Sequence, residues 1–186
     1  MMHSKDSIIP ISNLFPCEIM NEILSNIENF THTKDSLRGW LFSGATAQNS
    51  IDKTFWSRPL DDDKFYTEYI FEKVKSIIKV NFNEEVKLSR VYLNGATFGQ
   101  QGYLHQDFWD DFGRTFLIYC NDNWNIEWAG GTVFLRDGGG YETVYPQYNS
   151  AVYFDGKIKH FSQPLSRDFY GFRVTLAYKL FVECND

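Results

Sequence analysis

The stretch whose reading decides the fold runs from Val86 to Val182. Within it KLSRVYLNGA (87–96), RTFLIYCN (114–121), GGTVFLRD (130–137), YETVYP (141–146), NSAVYFDG (149–156) and FRVTLAYKLFVE (172–183) are separated at short intervals by Gly, Asn, Asp and Pro. These runs are rich in β-branched and aromatic residues, and that composition with that punctuation reads as strands. Many short strands in succession predict an antiparallel sandwich or barrel. The apolar last run, Phe172–Val182, is expected in the middle of a sheet rather than at its edge.

Upstream the period changes. Pro16 suits the first turn of a helix, and behind it Ile19, Met20, Ile23, Leu24 and Ile27 recur at helical spacing. A second helix is expected from about Asp62 to Lys79, where Tyr66, Ile70, Val74, Ile77 and Ile78 make one stripe. The aspartates at 61–63 suit its N-terminus. Between the helices LRGWLFSGATAQNSIDKTFWSRPL (37–60) reads as a short strand near Gly39–Phe42 and then a long loop. Such loops are lids or simply mobile; as a lid, Trp40, Phe55, Trp56 and Arg58 would close over a site. The expected fold class is mainly β with N-terminal helices packed on one sheet. Residues 1–85 would be helical support and lid, and 86–182 the β core, of one domain spanning 1–186.

Bulk properties agree with a globular chain. Of 186 residues 43% are hydrophobic and 18% aromatic, enough for a sizeable core. The formal charge of −6 gives no basic footprint, so no nucleic-acid partner is expected. Cys17, Cys120 and Cys184 are far apart and odd in number, which suggests neither a zinc knuckle nor a disulfide framework. The start, MMHSKDSIIPIS, does not read as a signal peptide, and no apolar run is long enough for a membrane span. A soluble, cytoplasmic protein is the expectation.

Four histidines occur, His3, His32, His105 and His160, and the last two lie in the β-rich half. His105 and Asp107, in GYLHQDFWDD, are two residues apart, and alternate residues of an extended strand point to the same side. One strand end can thus offer an imidazole and a carboxylate to a single metal, and His160, in KIKHFSQP, can complete the set from a distant strand. Two His and one carboxylate with open positions form the facial site of non-haem Fe(II) oxygenases. Arg173, in GFRVTLAY, starts an apolar strand and needs an anionic partner if buried. That partner is either a carboxylate of the protein or the distal carboxylate of 2-oxoglutarate.

Taken together these segments resemble the prolyl 4-hydroxylase-like Fe(II)/2-oxoglutarate-dependent dioxygenases, over about half of the chain. RVYLNGATFGQQGYLHQD (90–107) resembles that family's strand with a Tyr, a Gly-rich connection and then His-x-Asp. TFLIYCNDNWNIEWAGGTVFL (115–135) resembles its strand ending in Tyr-x-Asn, Trp-containing loop and Gly-Gly. SAVYFDGKIKHFSQPL (150–165) followed by GFRVTLAY (171–178) resembles its closing strands. The family fold is a double-stranded β-helix of jelly-roll or cupin type, in keeping with the strand count.

The resemblance implies roles. His105, Asp107 and His160 would hold Fe(II). Arg173 would bind the far carboxylate of 2-oxoglutarate, assisted by Tyr119, with Tyr92 lining the pocket and Thr175 pointing the same way. O2 would be the other cosubstrate and ascorbate a supporting reductant. The implied reaction couples decarboxylation of 2-oxoglutarate to succinate with hydroxylation of a C–H bond, with a prolyl residue in a peptide or protein as the favoured substrate. Tyr103, Phe108 and Trp109 flank His-x-Asp and would form an aromatic wall for it, or belong to the core; Arg58 is a further candidate for substrate contact. The chain departs from the family pattern in the long gap between His160 and Arg173, which carries SRDFYG (166–171) and makes Arg167 the alternative arginine, and in Cys120, where Leu is common. An oxygenase of a free amino acid or other small molecule, a metal-binding β-barrel without turnover, and a zinc hydrolase are the competing readings.

Overall fold

The computed structural model describes residues 7–31, 41–43 and 55–183. A seven-stranded antiparallel sheet carries most of the chain, in the order β1 (Ile8–Ser12), β8 (Ser150–Asp155), β5 (Gly113–Tyr119), β10 (Arg173–Val182), β4 (Val86–Ala96), β3 (Phe55–Pro59) and β2 (Leu41–Ser43). A second, three-stranded sheet has the order β7 (Tyr141–Val144), β6 (Thr132–Leu135) and β9 (His160–Ser162). The C-terminal strand is central, as its composition required: β10 is bonded to β4 on one side and β5 on the other.

Burial follows the pleat of the large sheet. Val91 and Leu93 of β4, Phe116 and Ile118 of β5, and Val174, Leu176, Tyr178 and Leu180 of β10 face one way. They pack against Met20, Ile23 and Ile27 of α1 (Cys17–Thr31) and Val74 and Ile78 of α2 (Phe71–Phe82). The helices thus cover that face, and their stripes are core. The opposite face packs Leu117, Tyr119, Val152, Phe154 and Ala177 against Phe134 of the small sheet. Among the described residues no helix is long and apolar enough to cross a membrane.

The upstream boundaries differ from the sequence reading. The second helix opens with a π-helical turn at Phe65–Ile70 and runs on to Phe82 rather than Lys79. Asn83 ends it in the left-handed region at φ 55°, its N–H donating to Lys79 O. The supposed loop ends in strand β3, which pairs with β4 through Trp56↔Gly95 and Pro59↔Tyr92. Strand β1 had no counterpart in the reading, because Pro10 demotes its run; β1 is an edge strand, where proline is tolerated. Of the proposed lid, Trp40 and residues 44–54 lie outside the described residues, as do His3, His32 and Cys184.

Leu176 is fully buried between the helices and its neighbours in the sheet. Replacing it by Ala should lower stability by about 2–5 kcal/mol, the usual cost of a cavity at such a site. A urea unfolding midpoint measured against the parent chain checks this.

Candidate metal and cosubstrate site

A cavity of about 320 Å³ lies on the face of the large sheet turned away from the helices. His105, Asp107 and His160 line it, and one ligand atom from each falls within 4.8 Å of the others. Backbone pairing creates this convergence. His105 N donates to His160 O at 3.0 Å and His160 N to His105 O at 2.8 Å, so two distant residues sit side by side. Gly156 O accepts from Asp107 N at 2.8 Å, which ties the carboxylate to the same corner.

Both imidazoles are oriented from behind. His105 Nδ1 lies 2.7 Å from Tyr103 O, and His160 Nδ1 lies 2.9 Å from Ile158 O. A carbonyl accepts only, so each Nδ1 carries a proton and each Nε2 is turned towards the carboxylate. Those Nε2 atoms are 3.4 and 3.5 Å from Asp107 oxygens. Phe154 and Phe134 pack against His160, with ring centroids at 4.8 and 5.8 Å. Burial pushes His160 down to about 4 against the pull of Asp107, with His105 and Lys179 adding to the fall. The ring is therefore neutral at pH 7, as a ligand must be. Burial opposes ionisation of Asp107 as well, but Lys179 and His160, with hydrogen bonds from His105 and Lys179, hold it well below the usual carboxylate range. Two imidazoles and a carboxylate are a donor set for a divalent transition metal.

The cavity continues along β10, whose Arg173, Thr175, Ala177 and Lys179 all line it. At the strand's rise, Arg173 and Lys179 are roughly 20 Å apart along the backbone. Arg173 is buried, its pKa lowered by that burial, and its Nε has no hydrogen-bond partner among the described residues. A buried guanidinium with an unused donor beside a cavity fits an anion supplied from outside the protein. Asn121 fixes its backbone: the side-chain amide donates to Phe172 O and the side-chain carbonyl accepts from Val174 N, each at 2.9 Å. The long gap after His160 folds against this end. Leu165 and Phe169 pack with Trp124 and Trp128, and Gly130, at φ +69°, lets Leu165, Trp124 and Arg173 approach where a side chain would collide. Arg167 is exposed and does not line the cavity.

The remaining predicted residues fall in different places. Thr175 is buried and lines the cavity opposite Tyr119 and Asn94. Tyr119 is buried with its ring 5.9 Å from the Arg173 guanidinium, and burial pushes its phenol up to about 12. Its hydroxyl donates to Val144 O at 3.1 Å and shares a bond with Thr132 Oγ1 at 2.9 Å. Tyr92 lines the cavity, with Arg90 and Lys179 over its ring at 5.3 and 5.7 Å. Tyr119, Tyr103, Phe108, Trp109 and Arg58 are not among the lining residues. Tyr103 supports His105 through its carbonyl, and Trp109 is 86% exposed. In β3 the pleat sends Phe55, Ser57 and Pro59 to the cavity, so Arg58 faces away, towards Tyr66 and Asp63.

Sequence reasoning missed Lys179, Thr115 and Asn94. Lys179 Nζ meets Asp107 Oδ2, and Thr115 Oγ1 donates to the same oxygen at 2.6 Å. Asn94 Oδ1 is buried at the cavity wall and, like Arg173 Nε, has no partner among the described residues. The signal for Lys179 was present: it is an inward position, two, four and six residues beyond Ala177, Thr175 and Arg173, in an otherwise apolar strand.

Asp107→Asn should strand the Lys179 ammonium without a counter-charge, at a cost of about 3–5 kcal/mol. The double variant Asp107→Asn/Lys179→Met should recover most of that loss. Chemical denaturation of metal-free protein measures both.

No protein-family model matches the sequence, and no curated protein matches it. Solved structures do match in fold. A prolyl hydroxylase from Trichoplax adhaerens, in complex with a hypoxia inducible factor oxygen degradation domain peptide, superposes with a TM-score of 0.75 at 17% identity, over 95% of this chain and 84% of that one. A prolyl-4-hydroxylase from Pseudomonas putida gives 0.68 at 14% identity, over 96% and 94%. The non-heme alpha ketoglutarate dependent epimerase SnoN, from nogalamycin biosynthesis, gives 0.70 at 11% identity, over 95% and 79%. The two-sheet architecture built around His105, Asp107 and His160 is thus the double-stranded β-helix fold of the 2-oxoglutarate/Fe(II) oxygenases, prolyl hydroxylases among them, over nearly the whole chain.

Proposed function

We propose that the chain is a single-domain Fe(II)- and 2-oxoglutarate-dependent dioxygenase that hydroxylates a C–H bond, with a prolyl residue of a peptide or protein as its substrate. One observation carries the reading: a buried arginine with an unused donor shares a cavity with a His-Asp-His cluster. A zinc hydrolase has no use for that arginine, and neither has a metal-binding barrel without turnover.

In this reading His105 and His160 Nε2 and an Asp107 oxygen hold Fe(II). Arg173 receives the distal carboxylate of 2-oxoglutarate, and Thr175 offers a hydroxyl along the way. Tyr119 supports the guanidinium from beneath, and Tyr92 walls the cavity. The bound iron and 2-oxoglutarate supply the O2 chemistry, and the chain supplies orientation, a fixed anion site and exclusion of water. The two Nδ1–H···O=C bonds keep the imidazoles aimed, so that little reorganisation is needed when metal arrives. A small-molecule substrate is the second reading, favoured by the likeness to SnoN, whose TM-score of 0.70 lies between those of the two prolyl hydroxylases, 0.68 and 0.75.

The test is succinate formation from 2-oxoglutarate with Fe(II) and ascorbate, with and without proline-rich peptides and free amino acids. Wild type should release succinate slowly alone and at least tenfold faster with substrate. His105→Ala should be silent, and Arg173→Ala should raise the KM for 2-oxoglutarate at least tenfold. Stimulation by free amino acids but not by peptides would replace the prolyl substrate with the small-molecule one. No turnover together with no calorimetric binding of 2-oxoglutarate would refute the oxygenase reading.

A further inference from the structure

Metal ligation needs no lysine at position 179, and Arg173 already serves a cosubstrate carboxylate. Yet Lys179 is buried to 4% side-chain exposure in the central strand, at the wall of the cavity. Its Nζ meets Asp107 Oδ2 and lies 3.2 Å from Thr115 Oγ1. The Thr115 hydroxyl donates to that same Oδ2 at 2.6 Å. Two donors from neighbouring strands, paired as Thr115↔Lys179 in the register, therefore converge on one carboxylate oxygen. Oδ1 faces His105 Nε2 at 3.4 Å and receives neither of them.

A carboxylate can ligate a metal through one oxygen or through both. Donors fixed on one oxygen compete with the metal for its lone pairs and favour ligation through the other. A fixed positive charge a few ångströms from a divalent ion also repels it, and burial leaves that repulsion weakly screened. Arg173, in contrast, lines the same cavity but is not among the groups that shift Asp107.

Building on the oxygenase reading, we infer that Lys179 is a positioning residue for the metal. Together with Thr115 it confines Asp107 to ligation through Oδ1, and its charge keeps the affinity for divalent ions down. Asp107 then takes up one coordination position, and more of the metal's positions stay open to other ligands. The competing account, a counter-ion that merely stabilises the strand, predicts no effect on a bound metal.

The experiment uses the full chain and metal alone. Mn(II) affinity is measured by calorimetry, and Co(II)-loaded protein is followed by its visible absorption. Lys179→Gln and Lys179→Met should each bind Mn(II) at least tenfold more tightly than wild type. The Co(II) bands should shift more in Lys179→Met, where Oδ2 loses a donor, than in Lys179→Gln, whose amide still donates. Thr115→Val keeps the charge and removes the hydroxyl, so it should shift the Co(II) bands while leaving Mn(II) affinity within threefold. It carries the test should both lysine variants fail to fold. Unchanged or weakened Mn(II) binding in a folded lysine variant, or Co(II) bands identical to wild type in Thr115→Val, would overturn the inference and leave Lys179 a structural counter-ion. Wild-type protein that binds no divalent ion would sink the oxygenase reading itself, a distinguishable result.

Discussion

The alternation of side chains along β10 is the constraint on which the molecule depends. Val174, Leu176, Tyr178 and Leu180 bind the sheet to its helices, while Arg173, Thr175, Ala177 and Lys179 line the cavity behind. Because the period of a strand is two, one run of ten residues builds the core on one side and the chemistry on the other. A slip of one residue would bury two cations among the helices and turn Leu176 and Tyr178 into the cavity. Pairing with β4 and β5 on both sides makes such a slip costly, so core packing is also what aims Arg173.

Precision in the site comes from backbone more than from side chains. The reciprocal His105–His160 bonds, the Gly156 carbonyl and the Asn121 clamp all act on main-chain atoms, which cannot choose another rotamer. The charged side chains then settle into fixed positions. An ammonium and a carboxylate buried together give little net stability after desolvation, so folding alone does not account for the pair.

Much of this was legible in the sequence. The strand runs, the central place of Phe172–Val182, the two helical stripes and the pairing of His105 with Asp107 follow from spacing and period, while His160 joined them through the family resemblance. What escaped did so for physical reasons. Strands β1 and β3 each contain a proline and few residues, and pairing with a neighbour, not their own composition, holds them extended. Tyr103 and Trp109 were singled out for flanking His-x-Asp, and Arg58 for its place at the end of the supposed lid. In β3 the alternation of the strand turns Arg58 away, between Ser57 and Pro59, which face the cavity. Lys179 was hidden by its apolar company, although a charge at an inward position of a central strand is the exception that most needs a partner.

The edge of the large sheet has a bearing on how the molecule behaves in a crowd. Strand β1 is bonded to β8 on one side and, among the described strands, to nothing on the other. An open edge with Ile8, Ile9 and Ile11 close together is a template on which a strand from another molecule could grow. Pro10 in the middle of that run withholds a backbone donor, and so interrupts the ladder an incoming strand would need. The residue that concealed β1 from a reading of the sequence is thus a guard against aggregation, and it works from an exposed position.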